Sequence, residues 1–133
     1  GGTLTKMIHV PGDLFSVNTF NAKNIPELFA RNERVICMFD TDLGKMAVVF
    51  VGATIVRSIA TAWAGTVAPN KNKDISTWDY TNKNISFSKG DEIGKFFMGS
   101  TVICLFEKDK IQFSQDLQCG QPTRMGMLMS LKK

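Results

Sequence analysis

The chain is 133 residues long, 44% apolar and 21% charged, with a formal net charge of +4 at pH 7. That size suits a single domain, residues 1–133, with a core of its own. No apolar run reaches the roughly 18 residues that a membrane-spanning helix needs, and the longest, KMAVVFVGATIV at 45–56, is interrupted by Gly52.

The opening GGTLTKMIHV lacks the basic-then-apolar order of a signal peptide. It also lacks an initiator methionine, so the chain is expected to be processed or cut from something longer. The positive balance permits attraction to an anionic surface. The basic residues are scattered and do not alternate with aromatics, which argues against nucleic acid as a partner. Cys37, Cys104 and Cys119 show no CxxC spacing, and His9 is the only histidine, so no metal site is expected. Cys37 and Cys104 fall in apolar strand patterns and read as small buried hydrophobes; reduced thiols suggest a cytosolic face.

In chain order, TLTKMIHV (3–10) alternates imperfectly and reads as a strand, ended by the turn Pro11-Gly12-Asp13. FNAKNIPELFARN reads as one short helix over about residues 20–31. Asn24 serves as its cap, Pro26 as an early helical position, and Leu28 and Phe29 as its inward face. ERVICMFD (33–40) is a strand, TDLG (41–44) a hairpin-like turn, and 45–56 a long strand with Gly52 as a bulge or close approach. RSIATAWAGTVAP continues as straight or bent strand. Residues 69–83 are polar and read as a surface excursion. NISFS is a short strand, and Lys89–Glu92 a turn. KFFMGSTVICLF (95–106) reads as a buried strand with Ser100 in its middle. EKDK turns the chain into IQFS, and TRMGMLMSL is the final strand.

About seven or eight short strands with a turn about every ten residues indicate a mainly β fold, a sandwich or barrel-like arrangement of antiparallel sheets with that one short helix.

Most polar residues have ordinary readings. His9 is a strand side chain before a turn, and Asp40 and Asp42 shape a turn. In the NER run at 32–34, Asn32 closes the helix and Glu33 and Arg34 are solvated or paired. Met125, Met127 and Met129 alternate as core filler. No P-loop, GxSxG, HExxH or GxGxxG motif occurs. Ser100 is the anomaly: a hydroxyl within an apolar run must find a partner or cost stability.

VPGDLFSVN (10–18), LFARNERV (28–35), VGATIV (51–56), KGDEIGKFFMGST (89–101) and GQP (120–122) stand in one order. Together they resemble the C-terminal catalytic half of bacterial-type phosphatidylserine decarboxylase proenzymes, over nearly the whole chain. The resemblance implies that Gly99–Ser100 is a self-cleaving bond. The cleavage would give a β chain ending at Gly99 and an α chain of residues 100–133. It also implies that Ser100 attacks the Gly99 carbonyl and becomes an N-terminal pyruvoyl group, the covalent cofactor. That ketone would form a Schiff base with phosphatidylserine and accept electrons as carbon dioxide leaves, giving phosphatidylethanolamine. Phe97, Val102 and their neighbours would supply dry walls.

The implied enzyme is a peripheral protein on the cytosolic face of the bacterial inner membrane. Its implied partners are phosphatidylserine, an anionic membrane surface and its own upstream segment; a homodimer is left open. The family's activating histidine and aspartate lie upstream of the position of Gly1, so the chain as given is expected to be inactive alone. His9 does not match the catalytic histidine. Arg57 stands where the family usually has glycine. The rival reading is a catalytically incomplete lipid-binding or structural β module. A lipoyl-type carrier is disfavoured, since Lys45 and Lys110 adjoin turns without the flanking pattern of such a site.

Overall fold

The computed structural model describes residues 1–54, 58–98 and 101–132. Eleven strands and two short helices are assigned: β1 Gly2–Val10, α1 Thr19–Asn24, α2 Leu28–Arg31, β2 Arg34–Thr41, β3 Gly44–Val51, β4 Ile59–Thr61, β5 Gly65–Ala68, β6 Ser76–Asp79, β7 Ser86–Phe87, β8 Gly94–Phe96, β9 Thr101–Phe106, β10 Ile111–Phe113 and β11 Ser130–Lys132. A six-stranded antiparallel sheet runs β6-β1-β2-β3-β9, with β7 also on β1; β5-β4-β8 form a second sheet and β10-β11 a third. The fold is mainly β, as expected, and no sheet closes into a barrel.

The core lies between the first two sheets. Leu4, Met7, Val35, Cys37, Phe39, Val48 and Phe50 come from one, and Ile59, Val67 and Ala68 from the other. A register shift between Leu4 and Lys6 resolves the imperfect alternation of β1. It lets Leu4 pair with Phe39 and Met7 with Cys37, so both reach the core face.

At the turn between β2 and β3, Gly44 takes φ +93°, and Lys45 Nζ lies 2.9 Å from Asp40 Oδ1. The turn role expected of Asp40 holds.

The expected single helix is two. The cap is Asn18, whose Oδ1 accepts from the Asn21 N–H at 2.8 Å, while Asn24 ends α1. Pro26 disfavours helical geometry in the residue before it, and Ile25 is extended. Glu27, at φ 54°, then restarts the chain as α2. Leu28 is buried as expected, but Phe29 is exposed.

The polar stretch 69–83 contains an unexpected strand. β6 pairs along β1 with His9 opposite Ser76 and Lys6 opposite Asp79. Its polar composition suits a sheet edge. The expected Met stripe is not core: Met125 and Met127 are exposed, and only Ser130–Lys132 of the final segment is strand.

Candidate active site

β3 ends at Val51 because the next residue is pulled away from the sheet. The Gly52 N–H donates to the Glu33 carbonyl at 2.8 Å, and a Cβ there would lie 3.1 Å from the same oxygen. Gly52 is therefore a close approach, one of the two roles expected of it. The expected strand 45–56 stops here, and the chain crosses to the second sheet, where β4 begins at Ile59.

A second crossing runs beside it in reverse. Phe96 pairs with Ile59 in the second sheet, and Thr101 pairs with Val51 in the first. The Phe97 N–H donates to the Ser58 carbonyl at 3.3 Å. The segment 95–106, expected as one buried strand, is thus two strands in two sheets. Residues 97–100 link them opposite residues 52–58. The apolar run hid this break because both flanking strands are themselves apolar on one face. Gly99, Ser100 and Arg57 lie outside the described residues.

Phe97 and Met98, which lead into that link, are 61% and 59% exposed, and Val102 is 47% exposed. The dry walls expected of Phe97 and Val102 are open to solvent in this chain.

Around the base of the 52–58 crossing sits a buried polar cluster. Asn32 is fully buried. Its Oδ1 accepts from the Phe15 N–H at 2.9 Å, and its Nδ2 donates to the carbonyls of Phe15 at 2.9 Å and Gly52 at 3.0 Å. The Glu33 N–H donates to the Asp13 carbonyl, and the Asp13 N–H to the Arg31 carbonyl. The Thr54 hydroxyl donates to the Leu14 carbonyl. Gly12 permits this approach, since a Cβ there would lie 2.2 Å from the Arg31 carbonyl oxygen.

The Glu33 side chain turns the other way. Its Oε1 lies 2.7 Å from His9 Nε2 and accepts the Asn70 N–H at 3.3 Å. His9 is a buried partner of a carboxylate rather than an ordinary strand side chain. The signal in the sequence was a lone histidine in an apolar strand and a glutamate just ahead of one. Nothing local linked the two.

The largest cavity is elsewhere. A groove of about 560 Å³ lies at the other end of the first sheet, lined by Phe39, Met46, Val48, Phe87 and Met127 among others. It is not the surroundings of the 97–100 link.

Antiparallel sheets exchanging strands through paired crossings, with a Gly-Ser step in the shorter one, define a β protein whose distinctive chemistry lies between its sheets. The family model for phosphatidylserine decarboxylase matches residues 1–130. Phosphatidylserine decarboxylase proenzymes of Vibrio parahaemolyticus, Psychromonas ingrahamii and Pasteurella multocida are 56%, 53% and 54% identical over 99%, 98% and 98% of this chain. The chain belongs to the phosphatidylserine decarboxylase family. It spans just under half the length of these relatives: 47%, 46% and 45%.

Proposed function

We propose that these residues are part of a pyruvoyl-dependent enzyme that decarboxylates phosphatidylserine to phosphatidylethanolamine, and that Gly99–Ser100 is its self-cleaving bond. The observation that carries the reading is the match of nearly the whole chain to proenzymes of that name. The Gly-Ser step also falls in a short link anchored in two sheets.

The residue types suit the chemistry. The Ser100 hydroxyl adds to the Gly99 carbonyl, and the amide becomes an ester, with the nitrogen taking the displaced proton. Removal of the Cα proton of residue 100 then expels the Gly99 carboxylate and leaves dehydroalanine. Its tautomer, an imine, takes up water and releases ammonia, so a ketone heads the chain 100–133. No oxidant or reductant is consumed. Glycine at 99 leaves the attacked carbonyl unshielded.

The pyruvoyl group supplies an electron sink for decarboxylation. The position fits such a group: Phe97 and Met98 bring the link to solvent, where a lipid headgroup can reach it. A net charge of +4 favours an anionic membrane surface. No helix among the described residues is long and apolar enough to cross a membrane. Both facts accord with peripheral attachment on the cytosolic face of the inner membrane.

The test joins the upstream part of the Vibrio parahaemolyticus relative to Gly1, giving a completed proenzyme. The expected product is two chains split at Gly99–Ser100, the smaller resistant to Edman sequencing and one ammonia lighter than a serine-started peptide. Ser100→Ala should stay whole. An unsplit wild-type chain would overturn the reading.

A further inference from the structure

The structure assigns to Asn32 and Thr54 a task beyond stability: we propose that they are positioning residues for cleavage of the 97–100 link. This rests on the proposed function, since it supposes that the link is cut.

Two observations carry it. The first is shared anchoring. The 52–58 crossing and the 97–100 link are joined at both ends, by Val51 to Thr101 on one side and by Ser58 and Ile59 to Phe97 and Phe96 on the other. A shift in the path of either crossing is therefore felt at the anchors of the other. The second is how firmly the first crossing is held at its start. Gly52 is gripped at both backbone groups, its N–H by the Glu33 carbonyl and its carbonyl by Asn32 Nδ2. Two residues on, the Thr54 hydroxyl ties the chain to Leu14. Asn32 also spends its remaining groups on Phe15, next to Leu14. Residues 13–15, 31–33 and 52–54 form one hydrogen-bonded block, and the crossing leaves it in a fixed direction.

Thr54 is what separates positioning from folding. Its side chain is exposed, so it contributes no core packing. Its hydroxyl nonetheless clamps the last described residue before the crossing continues. A hydroxyl attacking its own preceding carbonyl needs close alignment, and a misplacement of about 1 Å can cost about a hundredfold in rate.

The experiment measures self-cleavage and thermal midpoint together in the completed proenzyme. Thr54→Val should slow cleavage at least about tenfold with a midpoint near wild type. Thr54→Ser, which keeps the hydroxyl, should cleave within about twofold of wild type. Asn32→Ala should slow cleavage further and lower the midpoint. Leu4→Ala, in the core and outside this block, should lower the midpoint comparably yet cleave at close to the wild-type rate. Wild-type cleavage with Thr54→Val equally fast would overturn the positioning role alone. So would Leu4→Ala slowing cleavage as much as Asn32→Ala. Absence of cleavage in the wild type would overturn the proposed function and this role with it.

Discussion

His9 Nε2 and Glu33 Oε1 lie 2.7 Å apart, with the two side chains 0% and 10% exposed. They join β1 to the segment just ahead of β2, and through the Asn70 N–H they reach the chain beyond β5. The carboxylate is the acceptor, so Nε2 carries the hydrogen. His9 Nδ1 is buried without a partner among the described residues.

Removing one member of this pair leaves the other desolvated and alone. His9→Leu should therefore destabilise the fold by about 3–5 kcal/mol. His9→Leu with Glu33→Gln keeps an acceptor for Asn70 but removes the stranded charge, and should regain about half of that loss. Urea midpoints of the two variants check it. A double variant no more stable than His9→Leu would show that the charge is not what costs.

Burial pushes the Cys37 thiol up to about 12. In the unfolded chain it titrates near 9.0, so folding favours the protonated form. The stability tied to that proton is complete below the unfolded value and is lost as pH rises from about 9 to about 12. Each pH unit inside the window removes about 1.4 kcal/mol. Wild type should thus lose more stability between pH 8 and pH 10 than Cys37→Val, by about 1 kcal/mol. Equal losses would contradict the assignment. Under native conditions an alkylating reagent should take exposed Cys119 well before Cys37.

The 133-residue chain by itself should stay uncut at Gly99–Ser100 for days near neutral pH. A serine hydroxyl is a weak nucleophile until a base takes its proton. The chain's one histidine is buried and engaged through Nε2 by Glu33. Mass spectrometry of the purified chain reads the outcome. Prompt cleavage that survives His9→Ala would show that no histidine is needed.

The isolated chain should also bind a hydrophobic dye or self-associate. Phe97, Met98, Val102 and Leu105 are all about half exposed or more, along the link and the strand that follows it. Phe97→Ser with Met98→Ser should lower the dye signal. A monodisperse wild-type chain that ignores the dye would contradict this.

What the sequence revealed of this fold depended on how local the signal was. β1, β2 and β3 alternate over their whole length against a one-sided core, so periodicity found them. β6 is four residues of mixed polarity at a sheet edge and offered no such pattern. The break in 95–106 was invisible because both flanking strands are apolar, and only their different partners separate them. Pro26 was visible, but its effect on Ile25 was underweighted against helical spacing. The Gly99–Ser100 assignment came from ordered resemblance rather than from chemistry legible in those two residues. The Asn32 and Glu33 contacts escaped because their partners lie 17 to 37 residues away in sequence.

The strands on either side of the 97–100 link belong to different sheets, and neither needs the link to keep its place. β8 stays zipped to β4 from Gly94 to Phe96, and β9 to β3 from Thr101 to Phe106. A chain severed in that link would be nicked without coming apart. Its two pieces would stay interleaved, each completing a sheet that the other mostly builds. The fresh terminus would emerge already seated beside Val51, with no search for its position. Such a fold can change its covalent identity at one bond while its architecture carries on as before, and separating the pieces would take denaturant rather than dilution.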